Sequence, residues 1–318
     1  MLRILRDNYF INAIGRLFVF ALLRFSKRAK WIAHKYRIYG VVNVNIEASR
    51  FRIYSEADDF IANDIYYGLD YETSEFKLIK ALVNKSNYFV DVGANTGIFS
   101  IFASCVNNDL QVISFEPHPG NLKRLLKNVA LNKASVQSFE LAMGNKESTT
   151  HFTIPLDDSL STISSINNNF TENFSDTAFK TIEVKQRTLD SFLKPYPISS
   201  RDLIKIDVEY YEPQVLEGAV GILSTAKPWL LLEVLDYSQL VQQFPRMKGM
   251  ISEDHAYQIE SALSSFGYFA YQLQSNGVKL VNSVIGPHEN RNFLFAPIRL
   301  SNELIPYHTL ADSFSPSS

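Results

Sequence analysis

From Tyr88 onward, short apolar runs alternate with longer stretches whose apolar residues recur at helical spacing. Residues 88–92 (YFVDV) read as a buried strand, 93–97 as a glycine-bearing turn and 98–106 as a helix. The same unit recurs. Strands are predicted at 111–115, 136–143, 202–206, 229–234, 268–273 and 292–296, and helices at 119–132, 213–223 and 252–266, the last closed by Gly267. A further helix is predicted over 74–83, and residues 41–70 read as short strands and turns. Strands alternating with helices predict a parallel sheet covered on both faces. The stretch 156–179, rich in Ser, Thr and Asn, breaks the rhythm and reads as an insertion, either a surface loop or a lid in contact with substrate.

Composition changes the picture in two places. A single cysteine, Cys105, excludes a disulfide framework and a multi-cysteine zinc site. A net charge of −2 gives no general attraction to nucleic acid, and none is expected as a partner. Residues 1–40, however, carry nine Lys and Arg against one acid, Asp7. Their longest apolar run, 17–23, is far short of the about 20 residues that span a bilayer. A basic amphipathic helix is expected there, packed on the body or touching an anionic membrane surface or acidic partner. The expected organisation is an N-terminal segment at 1–70, a main domain at 71–300 and a C-terminal tail at 301–318, in a cytoplasmic and at most membrane-peripheral protein.

Acids stand at or near equivalent strand ends: Asp91, Glu116, Glu140, Asp207 and Glu233. In an open α/β sheet, ligands sit beyond the carboxyl ends of the strands, where the strand order switches. The first turn reads DVGANTG, in which Gly93 and Gly97 let the backbone approach a ligand and Asn95 or Thr96 can cap the next helix. The dinucleotide fingerprint fails, because its three glycine positions hold Gly93, Asn95 and Ile98. A dehydrogenase is therefore disfavoured. Glu116, 19 residues beyond Gly97, is placed to accept both hydroxyls of a ribose. Turn and acid together point to a nucleoside-containing cofactor. The six histidines show no metal-ligand spacing, and no metal is expected.

At this point the motifs DVGANTGIFS (91–100), FEPHP (115–119), LAMGN (141–145), TLDSFL (188–193), IKIDVEYYEPQVLEGA (204–219) and PWLLLEV (228–234) together resemble the FkbM family of class I S-adenosylmethionine-dependent methyltransferases. The resemblance implies a Rossmann-like, seven-stranded, mostly parallel sheet whose last strand is antiparallel, with helices on both faces. It implies S-adenosyl-L-methionine as cofactor and methylation of a hydroxyl on a sugar, glycan or secondary metabolite. Carried over, Asp91, Gly93, Asn95 and Gly97 would surround the methionine end of the cofactor. Glu116 would bind the ribose, Pro117 and His118 would shape the adenosine site, and Ala142 would lie by the adenine. Asp207 would end its strand beside the methyl group, and Asp207 and Glu209 are the candidate proton acceptors, with Glu212 either a third or a helix cap. One position departs from the family pattern: Tyr210 stands where Gly is usual. A backbone needing positive φ would strain it. Tyr210 and Tyr211 are expected beside the acceptor pocket as an aromatic platform; the alternative is that the rings fill a gap under the insertion. The competing functional reading is an inactive, cofactor-binding relative.

Overall fold

The computed structural model describes residues 18, 40–55, 60–67, 72–156, 158–174, 177–286, 288, 290–300, 304–310 and 312. The basic N-terminal segment before residue 40 and the tail beyond 312 lie outside the described residues, apart from residue 18. In chain order the elements are β1 (Gly40–Ile46), β2 (Ser49–Ser55), α1 (Phe60–Tyr67), α2 (Thr73–Val83), β3 (Tyr88–Val92), α3 (Ile98–Val106), β4 (Gln111–Phe115), α4 (Pro119–Asn132), β5 (Val136–Phe139), β6 (Ala142–Met143) and β7 (Ser148–Pro155). A 3₁₀ turn (Asp158–Ile163) leads to α5 (Asn168–Phe174), β8 (Phe179–Arg187), α6 (Leu189–Leu193), β9 (Leu203–Ile206), α7 (Glu212–Glu217), α8 (Val220–Thr225) and β10 (Trp229–Glu233). The chain ends with α9 (Tyr237–Gln243), α10 (His255–Ser265), β11 (Phe269–Gln274), β12 (Gly277–Leu280), β13 (Asn292–Ala296), β14 (Leu304–Pro306) and α11 (Tyr307–Leu310).

The main sheet has nine strands in the order β14-β12-β11-β13-β10-β9-β3-β4-β5. Strands β5, β4, β3, β9 and β10 run parallel, and β13 runs antiparallel between β10 and β11. This is the expected seven-stranded core with its last strand reversed. Two further antiparallel strands, β12 and β14, extend the β11 edge. Both faces are covered because alternate strand residues enter separate cores. Phe89, Trp229 and Leu231 pack with α2 and α3 on one side. Val90, Leu230 and Leu232 pack with α7 and α10 on the other. A period of two with both sets apolar is what made these strands read as continuous apolar runs.

Three predicted elements differ. Residues 60–67 are helical. The 136–143 strand divides after Phe139, where β5 leaves its ladder with β4, and β6 pairs with β8 in a separate three-stranded sheet, β6-β8-β7. The 213–223 helix divides at Gly218. A Cβ there would lie 2.0 Å from the Gly144 carbonyl oxygen, so the backbones of LAMGN and VLEGA touch directly. A new helix then starts, its Gly221 and Ile222 amides held by the Asp190 carboxylate at 2.7 and 2.8 Å. The 156–179 insertion is folded against the body, with Phe170 and Thr171 fully buried.

Candidate functional site

The chain runs from β3 outward to β4 and β5, then returns to place β9 on the other side of β3. The switch between β3 and β9 leaves a crevice beyond the carboxyl ends of the strands. A cavity of about 330 Å³ opens there. Gly93, Asn95, Glu116, Pro117 and Ala142 line one part of it, and Asp207, Glu209, Tyr211 and Glu233 another.

The first turn is shaped around Glu116. Gly93 has φ +83°, and a Cβ on it would sit 1.8 Å from the Asp207 carbonyl oxygen. Asn95 is also left-handed, at φ 50°. That bend presents its backbone N–H to Glu116 Oε2 at 2.8 Å, while the His118 N–H donates to Oε1 at 2.8 Å. The Glu116 carboxylate is thus fixed in the wall by two amides. Burial pushes its pKa up to about 7 against the pull of those amides. Neither Asn95 nor Thr96 caps α3, because the cap position is Gly97 and no side chain bonds there.

Four residues expected at the site do not line the cavity. Asp91 is fully buried beneath the turn and outside the cavity wall, with Oδ2 accepting from Ser100 Oγ at 2.6 Å. It ties β3 to α3. Gly97 packs against Leu125, to which a Cβ would come within 2.8 Å. His118 is buried at the start of α4, where Nδ1 accepts from the Gly120 and Asn121 amides. Tyr210 is 2% exposed and lies off the cavity. Its ring stacks between Phe170 (5.5 Å) and His255 (3.9 Å), and its hydroxyl donates to Ser252 O at 2.7 Å. It therefore cannot form a platform for an acceptor; it fills the space under the insertion. Tyr211 does reach the cavity, its hydroxyl accepting from Gln186 Nε2 at 3.3 Å. Glu140, also noted as a strand-end acid, is exposed to solvent.

Electrostatically the other part of the cavity is acidic. Carboxylate oxygens of Asp207, Glu209 and Glu233 lie within 4.8 Å of one another. Glu72 joins them in the wall. Lys205 is 4% exposed and donates to Asp207 Oδ2 at 2.8 Å. Burial opposes its charge, but Asp207, Asp91 and Glu72 outweigh that and hold it protonated. Burial, and then the charges of Glu233, Asp207 and Glu212, raise Glu209 well above the carboxylate range. Burial, with Asp207 and Glu212, raises Glu233 to about 8. Burial raises Glu72 likewise, partly countered by Lys205. Glu212 bridges two elements: Oε1 accepts from Val208 N at 3.0 Å and Oε2 meets His255 Nε2 at 2.8 Å.

Sequence reasoning missed Glu72 and Lys205. Lys205 carried a signal, since a lysine in the fully buried strand LIKI needs an anionic partner. Glu72 carried none; it precedes α2 in the left-handed conformation and reaches the site only through the tertiary arrangement. Ser161, Thr162 and Ser164 of the insertion also line the cavity.

A seven-stranded core with one reversed strand, an amide-held acid at the second strand end and carboxylates at the fourth and fifth make a class I Rossmann-like sheet with a carboxylate-lined crevice at its switch point. The family model described as "Methyltransferase FkbM domain" matches residues 91–268, and the chain belongs to that family of S-adenosyl-L-methionine-dependent methyltransferases. Among curated relatives, Methyltransferase 1 of Beauveria bassiana is 24% identical over 174 residues, covering 50% of this chain and 66% of that protein. The FkbM methyltransferase of Methylobacillus flagellatus is similar at 16% identity and TM-score 0.39, over 66% of this chain and 43% of its own. Aeropyrum pernix fibrillarin, with natively bound S-adenosyl-L-methionine, is similar at 12% identity and TM-score 0.38, over 81% of this chain and 99% of its own. Among the described residues, no helix is long and apolar enough to cross a membrane.

The cavity suits the family's cofactor. Its wall combines a fixed carboxylate at the second strand end, able to accept from a ribose diol, with further acidic groups.

Proposed function

We propose that the protein transfers the methyl group to a hydroxyl of a small-molecule or glycan acceptor. The observation that carries this reading is the convergence of Glu209, Glu233 and Asp207 in the wall of the same cavity that Glu116 lines. Gly93, Asn95, Glu116, Pro117 and Ala142 would hold the nucleoside and amino-acid parts of the cofactor. When bound, the cofactor supplies an electrophilic methyl on sulfur; the protein's task is alignment and proton removal.

Asp207 is committed to Lys205, so it is the poorer proton acceptor. Glu209 and Glu233 hold their protons more tightly than ordinary carboxylates. When ionised, each is therefore a stronger base toward a hydroxyl, and such a base typically contributes about 10²–10⁴-fold. Glu209 is assigned as the proton acceptor, with Glu233 beside it sharing the charge. The left-handed Tyr210 is accommodated by packing on both ring faces, which favours a working enzyme over an inactive relative.

The test is incubation of the full chain with methyl-labelled S-adenosyl-L-methionine and a panel of methyl glycosides, aminoglycosides and phenols. An O-methyl ether in the carbon NMR spectrum, lost with Glu209→Gln, is the expected result. An N-methyl product, or no product with a protein that binds S-adenosylhomocysteine, overturns the reading.

A further inference from the structure

The bend after β9 is unusual in its backbone. Glu209 (φ 54°) and Tyr210 (φ 68°) are consecutive left-handed residues, neither of them Gly. Each such residue is strained and persists only where its surroundings over-determine it. The surroundings here come from the insertion. Ser165, 1% exposed, donates from Oγ to the Glu209 carbonyl at 2.6 Å and accepts from Asn167 N at 2.9 Å. Asn167 Nδ2 donates to the Tyr210 carbonyl at 3.4 Å. Phe170 covers one face of the Tyr210 ring, and His255 covers the other. Ser165 is itself rigidly held, exchanging backbone hydrogen bonds with Thr153 of β7 at 2.9 and 3.2 Å.

We propose that Ser165, supported by Asn167 and the Tyr210 ring, is a positioning residue that locks the 209–210 bend so that the Glu209 carboxylate faces the cavity. Both partners are needed. A Gly at 210 would adopt the bend freely but would not hold it; Tyr adopts it at a cost and is clamped through its ring. The insertion thus serves the acceptor end of the site from behind, through the backbone, while its Ser161–Ser164 stretch lines the cavity from the front. This deepens the assignment of Glu209 as proton acceptor and rests on it for its catalytic meaning, but the locking is a separate physical claim.

The test uses the full chain labelled with glutamate carrying carbon-13 at the side-chain carboxyl. The Glu209 and Glu116 resonances are assigned by their loss in Glu209→Gln and Glu116→Gln. In the unaltered protein Glu209 is expected to titrate above the ordinary carboxylate range, because burial and then the Glu233 and Asp207 charges disfavour its ionised form. With Ser165→Ala its proton affinity is expected to fall roughly tenfold or more, because the freed side chain gains solvent and moves away from the Glu233 and Asp207 charges. Ser165→Thr restores it, and Glu116 stays unchanged throughout. Asn167→Ala, at a half-buried position, moves Glu209 in the same direction by a smaller factor, and serves if the serine variant does not fold. A Glu209 resonance unmoved by these variants overturns the proposal, whatever happens to the melting temperature. Turnover bears on the other assignment: an active Glu209→Gln enzyme removes Glu209 as proton acceptor and leaves the titration result standing.

Discussion

Glu116 shows how one residue's position and charge can be set by different things. Its place in the chain follows from the strand and turn spacing, but one of its two amide partners comes from the left-handed turn at Asn95 and the other from His118 at the start of α4. Replacing Glu116 by Ala should weaken S-adenosylhomocysteine binding by about 1–3 kcal/mol, measured by calorimetry. Because the ionised carboxylate is the form that accepts two hydroxyls, and its pKa stands at about 7, affinity should rise with pH through that value. Binding at pH 8 should be roughly tenfold tighter than at pH 6, and Glu116→Gln should lose this slope. Tyr210 is the complementary case. Tyr210→Ala should cost about 3–5 kcal/mol in urea unfolding, since a fully packed ring is removed. Tyr210→Phe should cost only about 0.5–1.5 kcal/mol, for the bond to Ser252.

At the scale of elements, the short turns are fixed by close backbone approach. The β3–α3 turn and the β9–α7 bend touch at Gly93 and Asp207, so the cofactor-side and acceptor-side loops form one unit. Gly93→Ala should therefore destabilise the protein by more than the about 1–3 kcal/mol of left-handed strain alone, because the added methyl must also displace the Asp207 carbonyl. Denaturant unfolding gives the stability loss, and calorimetry should show S-adenosylhomocysteine binding lost with it. A Gly93→Ala variant with unchanged midpoint and affinity would contradict this coupling. The same physics divides the helix at Gly218. It also explains why LAMGN and VLEGA, far apart in the chain, form one contact, with Gly218 seated directly on the Gly144 carbonyl.

For the whole molecule, the raised acids give a signed pH dependence. The unfolded chain releases each of these protons near 4.5, whereas folded Glu116 holds its proton to about 7 and Glu233 to about 8. The folded state therefore binds more protons in this interval, and stability falls as pH rises from about 4.5 to about 8. Below that window these groups contribute no slope. Melting temperature should be higher at about pH 5.5 than at about pH 8.5, with each 1 kcal/mol appearing as about 2–4 °C. Glu233→Gln should flatten the profile by removing one of the ionisations. A profile that rises steadily across the same interval would refute the burial of these carboxylates.

The strand–helix alternation was legible from residue 88 onward because strands buried on both faces must be apolar throughout, and that requirement is local. The strand-end positions of Glu116, Asp207 and Glu233, and the turn glycines between, were legible for the same reason: they punctuate local elements. What faces what was not. Asp91 and Glu116 both read as strand-end acids, yet Asp91 pairs with Ser114, two residues short of Glu116, so that one is sealed beneath the turn and the other fixed in the cavity wall. Tyr210 and Tyr211 are neighbours, yet one ring is clamped between Phe170 and His255 while the other reaches the cavity. Glu72 and Ser165 join the site from sequence-distant segments with no periodic pattern to announce them. Local sequence determined the elements and the chemistry available at their ends. The tertiary structure decided which of those groups meet, because burial, strain and proton affinity depend on neighbours that only the folded chain brings together.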